Sequence, residues 1–252
     1  MELNLIHRIE RSKIGIATSV ARELHFSWQG TIEWAQAENL RHVQLFINPQ
    51  TLKEDLITFL KNGRGLKAYF HLPANAGEAT VQYILHTLNG FCERIPIVII
   101  QHQQWTATVV RFLDFYPEII LAAENDRPQS EPLSFWDFLQ SQSISSPRWA
   151  VLDIPRFYHQ APREMPFKEI THQIDRLLSL LSQYRIPFMI HAIDQSKKGG
   201  ERKYWTSFLQ GALPWVHFIK VLQNSSDLLK CFIFEYEDWN RAKEGIRLIA
   251  KP

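Results

Sequence analysis

The sequence lacks several features that would assign it to a specialised class of protein. Only two cysteines occur among 252 residues, Cys92 and Cys231, and their spacing matches no zinc or redox motif. We therefore expect two buried thiols in a reducing compartment rather than a disulfide framework. No apolar run reaches the roughly 18 residues that a membrane span requires, and the amino-terminal stretch has no apolar core long enough for a secretory signal. The sequence thus predicts a cytoplasmic protein.

The chain also has little net charge of either sign. It carries 28 lysine and arginine residues against 26 aspartate and glutamate residues, which gives a formal net charge of +2 at pH 7. A protein whose affinity depends on neutralising many nucleic-acid phosphates needs a larger excess of positive charge. Apolar residues make up 45% and charged residues 21%, as in ordinary globular proteins. The composition therefore argues against nucleic acid as the partner and against a disordered chain.

What the sequence does contain is an alternation of short apolar runs and longer segments of helical periodicity. From Ile16 to Glu235, seven repeats average roughly 31 residues, the length of a βαβ unit. Near-continuous apolar strands are typical of a parallel sheet covered by helices. The pattern predicts an α/β protein, a single-domain (β/α)8 TIM barrel over residues 13–252, after an N-terminal extension of residues 1–12. The predicted strands are 13–19, 42–47, 66–72, 96–102, 119–125, 149–154, 187–193 and 231–237.

A doubly wound open sheet is the alternative architecture. The segment after the first predicted strand, IATSVARELHF, lacks the glycines of a G-x-G-x-x-G dinucleotide fingerprint, which argues against that fold. The segment 216–222 has the apolar content of a ninth strand. Lys220 in its middle and Pro214 just before it favour a helix instead. The barrel therefore remains the predicted fold.

Six of the eight predicted strands end in a side chain that could bind a metal ion or transfer a proton. The carboxyl ends of barrel strands face the active site, so these side chains are expected to meet there. An unpaired charge in that position would cost several kcal/mol, and a cation is expected to compensate it. Imidazole and carboxylate groups without a thiolate suit Zn²⁺, Mn²⁺, Co²⁺, Fe²⁺ or Mg²⁺. The six residues are His71, His102, Glu124, Asp153, His191 and Glu235.

The order and spacing of these motifs resemble the xylose isomerase-like barrel superfamily, which includes sugar isomerases and epimerases, inosose dehydratases and apurinic-site endonucleases. The matching stretches are AAEN in the fifth strand, VLDIP in the sixth, HAID in the seventh and FIFE in the eighth. The resemblance implies a divalent metal ion held by Glu124, Asp153, His191 and Glu235. It also implies that Glu124 and Glu235 exchange a substrate proton on opposite faces of a metal-stabilised enediolate.

Three departures from the superfamily pattern bear on the function. The sixth-strand motif usually reads Asp-x-x-His, whereas here Arg156 takes the histidine position and His159 lies three residues further on. The usual glutamate of the second strand is replaced by Gln44. The loop after the seventh strand lacks the Asp-x-His pair with which the endonucleases complete a three-zinc cluster. The missing pair argues against hydrolysis of abasic DNA.

Further polar residues near the predicted barrel mouth are candidates for binding substrate. Two strand-end imidazoles would hold substrate hydroxyls or a second ion, and two side chains after the sixth strand would contact an anionic substrate. Two lysines in the loop after the seventh strand would capture a phosphate group, although a solvated basic loop explains them equally well. In that order, the residues are His71 and His102, Arg156 and His159, and Lys197 and Lys198.

The preferred hypothesis is a metal-dependent isomerase or epimerase of a small sugar, polyol or sugar phosphate. One alternative is a zinc-dependent phosphoester hydrolase of the apurinic endonuclease branch. The other is a non-catalytic barrel with a degenerate metal site, which the replacements at Gln44 and Arg156 favour. We expect a small-molecule substrate and no membrane association, and the sequence leaves open whether the chain forms a homo-oligomer.

Overall fold

Eight parallel strands close into a barrel, as the sequence predicts. A computed structural model of the chain describes residues 8–91, 96–101, 104, 115–116, 118–126, 131–141, 148–160, 165–197, 202–225 and 227–251. The barrel strands are β1 Ile14–Ala17, β2 His42–Phe46, β3 Lys67–His71, β4 Ile97–Gln101, β5 Ile120–Glu124, β6 Arg148–Asp153, β7 Phe188–Ala192 and β10 Leu229–Phe234. Around the barrel they follow the order β1-β10-β7-β6-β5-β4-β3-β2, and β1 closes the ring by pairing with both β10 and β2.

Helices follow the strands and cover the outside of the barrel. Their buried apolar residues recur at helical spacing, so that each helix presents one apolar stripe to the strands. The segment 216–222, which has the apolar content of a strand, is helical, as predicted, and lies within the helix Trp215–Gln223. The helices are α1 Trp28–Ala37, α2 Leu52–Asn62, α3 Glu78–Phe91, α4 Pro132–Ser141, α5 Ile154–Gln160, α6 Phe167–Gln183, α7 Trp215–Gln223 and α8 Trp239–Ile249.

Alternate residues of each strand fill the barrel lumen. A buried cluster that includes Tyr69, Ile99, Trp149, Met189 and Cys231 takes every second residue of its strands, while the residues between them pack against the helices. Side chains alternate across a strand, so each strand sends one set of residues inward. This parity determines which polar residues at the carboxyl ends of the strands point into the mouth of the barrel.

Close packing of strands around the lumen explains a glycine in the first strand. A Cβ atom added to Gly15 would lie 2.6 Å from the backbone oxygen of His42 and 2.7 Å from Cδ1 of Ile233. Any larger residue there would push β1 away from its two neighbours. The glycine is therefore part of how the barrel closes.

Several short elements were not predicted from the sequence, among them a 3-10 helix, Thr18–Leu24, that begins at the end of β1 inside the predicted strand 13–19. Helix α5 begins immediately after β6, where the sequence suggested only the end of a strand and a loop. A short antiparallel pair, β8 Asp194–Gln195 and β9 Trp205–Thr206, follows β7 and forms the base of the basic loop. The segment 106–115, one of those with helical periodicity between the predicted strands, lies almost wholly outside the described residues.

The two ends of the described chain meet at one side of the barrel. Ile9 forms a parallel bridge with Ala250, through the bonds from Ile9 N to Ile249 O at 2.9 Å and from Lys251 N to Ile9 O at 2.8 Å. Of the two cysteines, Cys231 is a buried free thiol, and burial raises its pKa well above the ordinary range. Cys92 lies outside the described residues. No helix among the residues described is long and apolar enough to cross a bilayer.

Candidate active site

Glu124, Asp153 and His191 occupy the carboxyl ends of three consecutive strands. Each lies two positions after a residue that points into the lumen, namely Ala122, Val151 and Met189 in that order, and so points to the same side of its strand. Their side chains therefore point into the mouth of the barrel rather than toward the helices.

The three side chains form the candidate metal centre. Asp153 and His191 are paired in register across β6 and β7, which places them at the same height in the barrel. One ligand atom from each of Glu124, Asp153 and His191 lies within 4.8 Å of the other two. The strand register therefore brings a mixed carboxylate and imidazole set together at one level.

His191 is the central residue of the group. Its Nδ1 atom lies 2.9 Å from Oε1 of Glu124 and 3.2 Å from Oε2 of Glu235, and its side chain is 1% exposed. Neither ring nitrogen forms a well-directed hydrogen bond in spite of these short distances. The two carboxylates compensate the buried imidazole by charge, and the poor alignment leaves room for a further group near the ring.

Glu235 follows β10 and is held by a residue that is 191 positions away in the sequence. The side-chain amide of Gln44, on β2, donates from Nε2 to Oε1 of Glu235 at 2.5 Å. This bond leaves Oε2 of Glu235 facing His191. Gln44 is fully buried, and its own Oε1 lacks a hydrogen-bond partner. The sequence marked Gln44 only as a departure from a pattern, whereas the structure gives it contact with a candidate ligand.

Arg156 lies against the outer side of the carboxylates. Its Nη2 atom is 2.9 Å from Oδ2 of Asp153, and its Nη1 atom is 3.3 Å from Oε2 of Glu124 and 3.6 Å from Oδ1 of Asp126. Nη1 also donates to the backbone oxygen of Asn125 at 2.8 Å. The negative charges of Asp153, Glu124 and Asp126 raise the pKa of Arg156 in spite of its burial, so the guanidinium stays charged.

His71, at the end of β3, contacts the same oxygen of Glu124. Its Nδ1 atom lies 2.7 Å from the backbone oxygen of Leu72, which can only accept, so Nδ1 carries a proton. Its Nε2 atom is 3.2 Å from Oε2 of Glu124. His71 and Arg156 therefore both contact Oε2 of this carboxylate, while Oε1 faces His191.

The two glutamates differ in their tendency to ionise. Burial opposes ionisation of Glu124, but the charge of Arg156, followed by that of His71, holds its pKa well below the ordinary range. Burial raises the pKa of Glu235, and the negative charges of Glu124 and Asp153 raise it further, against the attraction of His191. Burial likewise opposes protonation of His191, but Glu235 and Glu124 raise its pKa to about 9. The two carboxylates thus have opposite environments within one site.

Four other predicted site residues lie outside this group of contacts. His159 lies on α5, three residues beyond Arg156, with an exposed side chain, and Lys197 is exposed in the loop after β8. His102 and Lys198 lie outside the described residues. The structure therefore brings together Glu124, Asp153, His191, Glu235, His71 and Arg156 among the residues predicted.

A buried carboxylate fixes the base of the basic loop that carries Lys197. Asp194 accepts hydrogen bonds from the backbone N–H groups of Gln195 at 2.8 Å and Gly211 at 2.9 Å. The hydroxyl of Tyr236 accepts from the backbone N–H of Asp194 and donates to the backbone oxygen of Thr206. The loop is therefore attached to the barrel rim at a defined position.

The residues present fit a divalent metal ion. Three carboxylates and an imidazole converge from neighbouring strands, and both nitrogens of the buried His191 lack directed hydrogen bonds. Carboxylate and imidazole ligands suit Mn²⁺, Co²⁺, Fe²⁺, Zn²⁺ or Mg²⁺, and the donor types do not select among these ions. Within the described part of the chain, this is the single group of three or more possible ligands that meet closely enough.

Comparisons with known proteins agree with the fold. No protein-family model and no curated protein matches the sequence. Among solved structures, a xylose isomerase domain containing protein from Salmonella typhimurium LT2 is similar, with a TM-score of 0.58 and 12% identity, over 93% of this chain and 92% of that chain. The apo form of 3-keto-D-glucoside 4-epimerase, YcjR, from E. coli gives a TM-score of 0.56 and 10% identity, over 94% and 98% of the two chains.

A third similar structure is that of an enzyme whose name indicates a different kind of reaction. It is a truncated 3-deoxy-D-arabino-heptulosonate 7-phosphate synthase from Thermotoga maritima, with a TM-score of 0.52 and 11% identity, over 94% of this chain and 84% of that chain. An epimerase and a synthase therefore share this fold. The likeness shows the fold alone, and the function has to be argued from the side chains of the site.

Proposed function

We propose that the protein is a metal-dependent isomerase or epimerase that acts on a small sugar, polyol or sugar phosphate and belongs to the xylose isomerase-like superfamily. The observation that carries the proposal is the convergence of Oε1 of Glu124, Oε2 of Glu235 and Nδ1 of His191 within 2.9–3.2 Å contacts, with Asp153 in the same group. These are the strand-end positions that the resemblance to the superfamily implies. The E. coli epimerase shows that a sugar epimerase can be built on a similar fold.

Glu124, Asp153, His191 and Glu235 are the residues proposed to hold the ion. A divalent ion in this position would polarise a carbonyl and the hydroxyl on the neighbouring carbon, which would acidify the C–H bond of that carbon. The chain holds the inner oxygens of Glu124 and Glu235 toward His191 by binding their outer oxygens with Arg156, His71 and Gln44. The carboxylates are therefore oriented before any substrate arrives.

Glu235 is the stronger candidate for removing the substrate proton. Burial and neighbouring carboxylates raise its pKa, which makes it a better proton acceptor than an ordinary glutamate. Glu124 is held ionised by Arg156 and His71, so its proposed share in the proton exchange is to accept a proton at the opposite face, which it could give back only after it has been protonated. Two carboxylates on opposite sides of a planar enediolate can remove a proton from one face and add one, exchangeable with solvent, to the other.

The basic loop suggests a phosphorylated substrate. Lys197 is exposed at the start of the loop after β8, and Lys198 follows it in the sequence. The buried carboxylate of Asp194 fixes the base of this loop at the rim of the barrel. We propose that the two lysines bind the phosphate of a sugar phosphate, while a neutral sugar would use the mouth residues alone.

Hydrolysis of a phosphoester is the alternative activity. It would require two or more metal ions held close together. The described residues contain one group of possible ligands, and the positive charge of Arg156 lies where a second ion would need free carboxylate oxygens. These observations favour the isomerase or epimerase.

Proton exchange with solvent tests the proposed function without knowledge of the product. Metal-loaded protein is incubated in D₂O with a panel of aldoses, ketoses and their phosphates, and deuterium uptake next to the carbonyl is followed by NMR. We expect at least one member of the panel to exchange in a reaction that stripped protein and Glu235→Gln do not support. The proposal fails if no member exchanges, or if exchange proceeds equally well without metal.

A further inference from the structure

We infer that Arg156 is a built-in cation that holds the carboxylates of the site together without a metal ion and sets how strongly the fold depends on metal. The inference deepens the proposed function and depends on it for the identity of the metal centre. It concerns a residue whose position the sequence pattern would give to a histidine. A neutral imidazole could bind a metal ion there, whereas a guanidinium cannot.

The charge balance of the site requires such a cation. Glu124 is 1% exposed, and Asp153 and Glu235 retain side-chain exposures of 13% and 12%. Three carboxylates so little exposed to water would repel one another strongly. Among the described residues that contact these carboxylates, Arg156 is the one whose positive charge does not depend on protonation of an imidazole.

The backbone fixes the guanidinium in its position. The N–H of Arg156 donates to Oδ1 of Asp153 at 3.1 Å, in the first turn of α5. The backbone oxygen of Asn125 accepts from Nη1, and the side-chain amide of Asn125 in turn donates to the backbone oxygen of Asp153 at 3.1 Å. Arg156 is therefore part of a network that links the ends of β5 and β6, and its side chain is only 18% exposed.

The guanidinium contacts one oxygen of Glu124 and one of Asp153, and it leaves the other oxygen of Glu124 available. It contacts Oε2 of Glu124 and Oδ2 of Asp153, whereas Oε1 of Glu124 faces His191. Arg156 and one divalent ion can therefore occupy the cluster together, on opposite sides of Glu124. A second ion on the outer side would have to displace a charged, buried arginine. The arrangement thus restricts the cluster to one ion.

The test is the thermal stability of protein stripped of metal, with Mn²⁺ as the added ion. Wild type is compared with Arg156→Gln, which removes the charge, and Arg156→Lys, which keeps the charge but loses the two-pronged contact. Arg185→Gln is the matched control, because Arg185 forms an exposed ion pair with Asp227 at 3.0 Å far from the mouth. Melting temperatures in EDTA and in excess Mn²⁺ are measured by calorimetry.

We expect stripped wild type to melt cooperatively and stripped Arg156→Gln to melt about 5–10 °C lower, as expected for a buried charge cluster that has lost its partner. Mn²⁺ should raise the melting temperature of Arg156→Gln at least twice as much as that of wild type. Arg156→Lys should lie between them, and Arg185→Gln should behave as wild type. If Arg156→Gln is recovered only when it is expressed and purified with Mn²⁺, that too is the expected dependence on metal.

The inference is overturned if stripped Arg156→Gln melts with wild type, or if Mn²⁺ stabilises the two proteins equally. If Arg156→Gln yields no soluble protein under any condition, Arg156→Lys decides, and a melting temperature in EDTA equal to that of Arg185→Lys overturns the inference. Failure of the proposed function gives a different result. In that case no member of the substrate panel exchanges deuterium, while Arg156→Gln still melts below wild type in EDTA and is still stabilised more than wild type by Mn²⁺.

Discussion

His191 Nδ1 lies 2.9 Å from Oε1 of Glu124, and both side chains are 1% exposed. At this distance the imidazole nitrogen and the carboxylate oxygen can share a proton, or they can serve together as ligands of one divalent ion. The proposed metal centre therefore uses the same two atoms that attract each other in the protein without metal.

Glu235→Gln should reduce solvent deuterium exchange into substrate by at least about a hundredfold, because the amide cannot accept the proton. The replacement keeps the size of the side chain, so the circular dichroism spectrum and the melting curve should stay close to those of wild type. Glu54→Gln, an exposed position on α2, is the matched control and should exchange at the wild-type rate. Exchange at the wild-type rate in Glu235→Gln would show that another group is the base.

Gln44→Met should slow the same exchange by roughly ten- to a hundredfold, the loss expected for one hydrogen bond to a charged group. The amide of Gln44 donates to Oε1 of Glu235 and so keeps Oε2 directed at His191. Methionine retains the length of the side chain and removes the donor. An unchanged exchange rate in Gln44→Met, with metal content also unchanged, would mean that Gln44 has no part in positioning Glu235.

The double replacement of Lys197 and Lys198 by alanine should raise KM for a phosphorylated substrate by about tenfold and leave KM for the neutral sugar unchanged. The reason is that only the phosphate offers these side chains a negative charge. Replacement of Lys53 and Lys61, two exposed lysines of α2, is the control for a change of two surface charges. Equal effects on the phosphorylated and neutral substrates would remove the lysines from phosphate binding.

The free energy of unfolding should fall as the pH is lowered from 6.5 toward 4, partly because of His42. Burial, together with the charge of Lys67, lowers the pKa of His42 from 6.5 to about 4, against a backbone hydrogen bond to Ser12 that raises it. The folded state therefore binds fewer protons than the unfolded state in this range. The stability that neutral His42 contributes is fully present above pH 6.5 and is lost progressively as the pH falls toward 4.

Replacing His42 by glutamine separates the contribution of His42 to the pH dependence of stability from the contribution of the carboxylates of the site. The drop in unfolding free energy between pH 7 and about pH 5 should be smaller in His42→Gln than in wild type by on the order of 1–2 kcal/mol. His217, which is exposed and pairs with Asp175 at 2.9 Å, provides the control as His217→Gln. If urea titrations give His42→Gln the same pH dependence as wild type, His42 is not buried in its neutral form.

The strands and the ends of the strands were predictable because barrel geometry leaves a clear pattern in the sequence. The eight apolar runs are strands, and polar residues directly after three or more apolar residues, such as Glu124 and His191, lie at the carboxyl ends with inward parity. The predicted (β/α)8 barrel is confirmed by the closed ring of eight parallel strands and by the similar solved structures. The functional roles of these residues remain predictions.

The contacts of Arg156 and Gln44 were not predictable from the sequence, for a physical reason in each case. Arg156 depends on α5 beginning directly after Asp153, and a helix of seven residues is too short for a clear period. The bond from Gln44 joins residues 191 positions apart, and only the closure of the barrel by β1 brings β2 close to β10. Polar contacts between residues far apart in the sequence depend on how the strands are arranged in space, which the local sequence pattern does not specify.

Elemental analysis of the protein purified without chelator tests the central claim most directly. The account predicts about one equivalent of manganese, cobalt, iron, zinc or magnesium per chain, as expected for a single set of carboxylate and imidazole ligands. It also predicts that Glu124→Gln loses this metal while it stays folded. Wild-type protein that contains no divalent metal, and takes none up when each ion is offered, would contradict the claim.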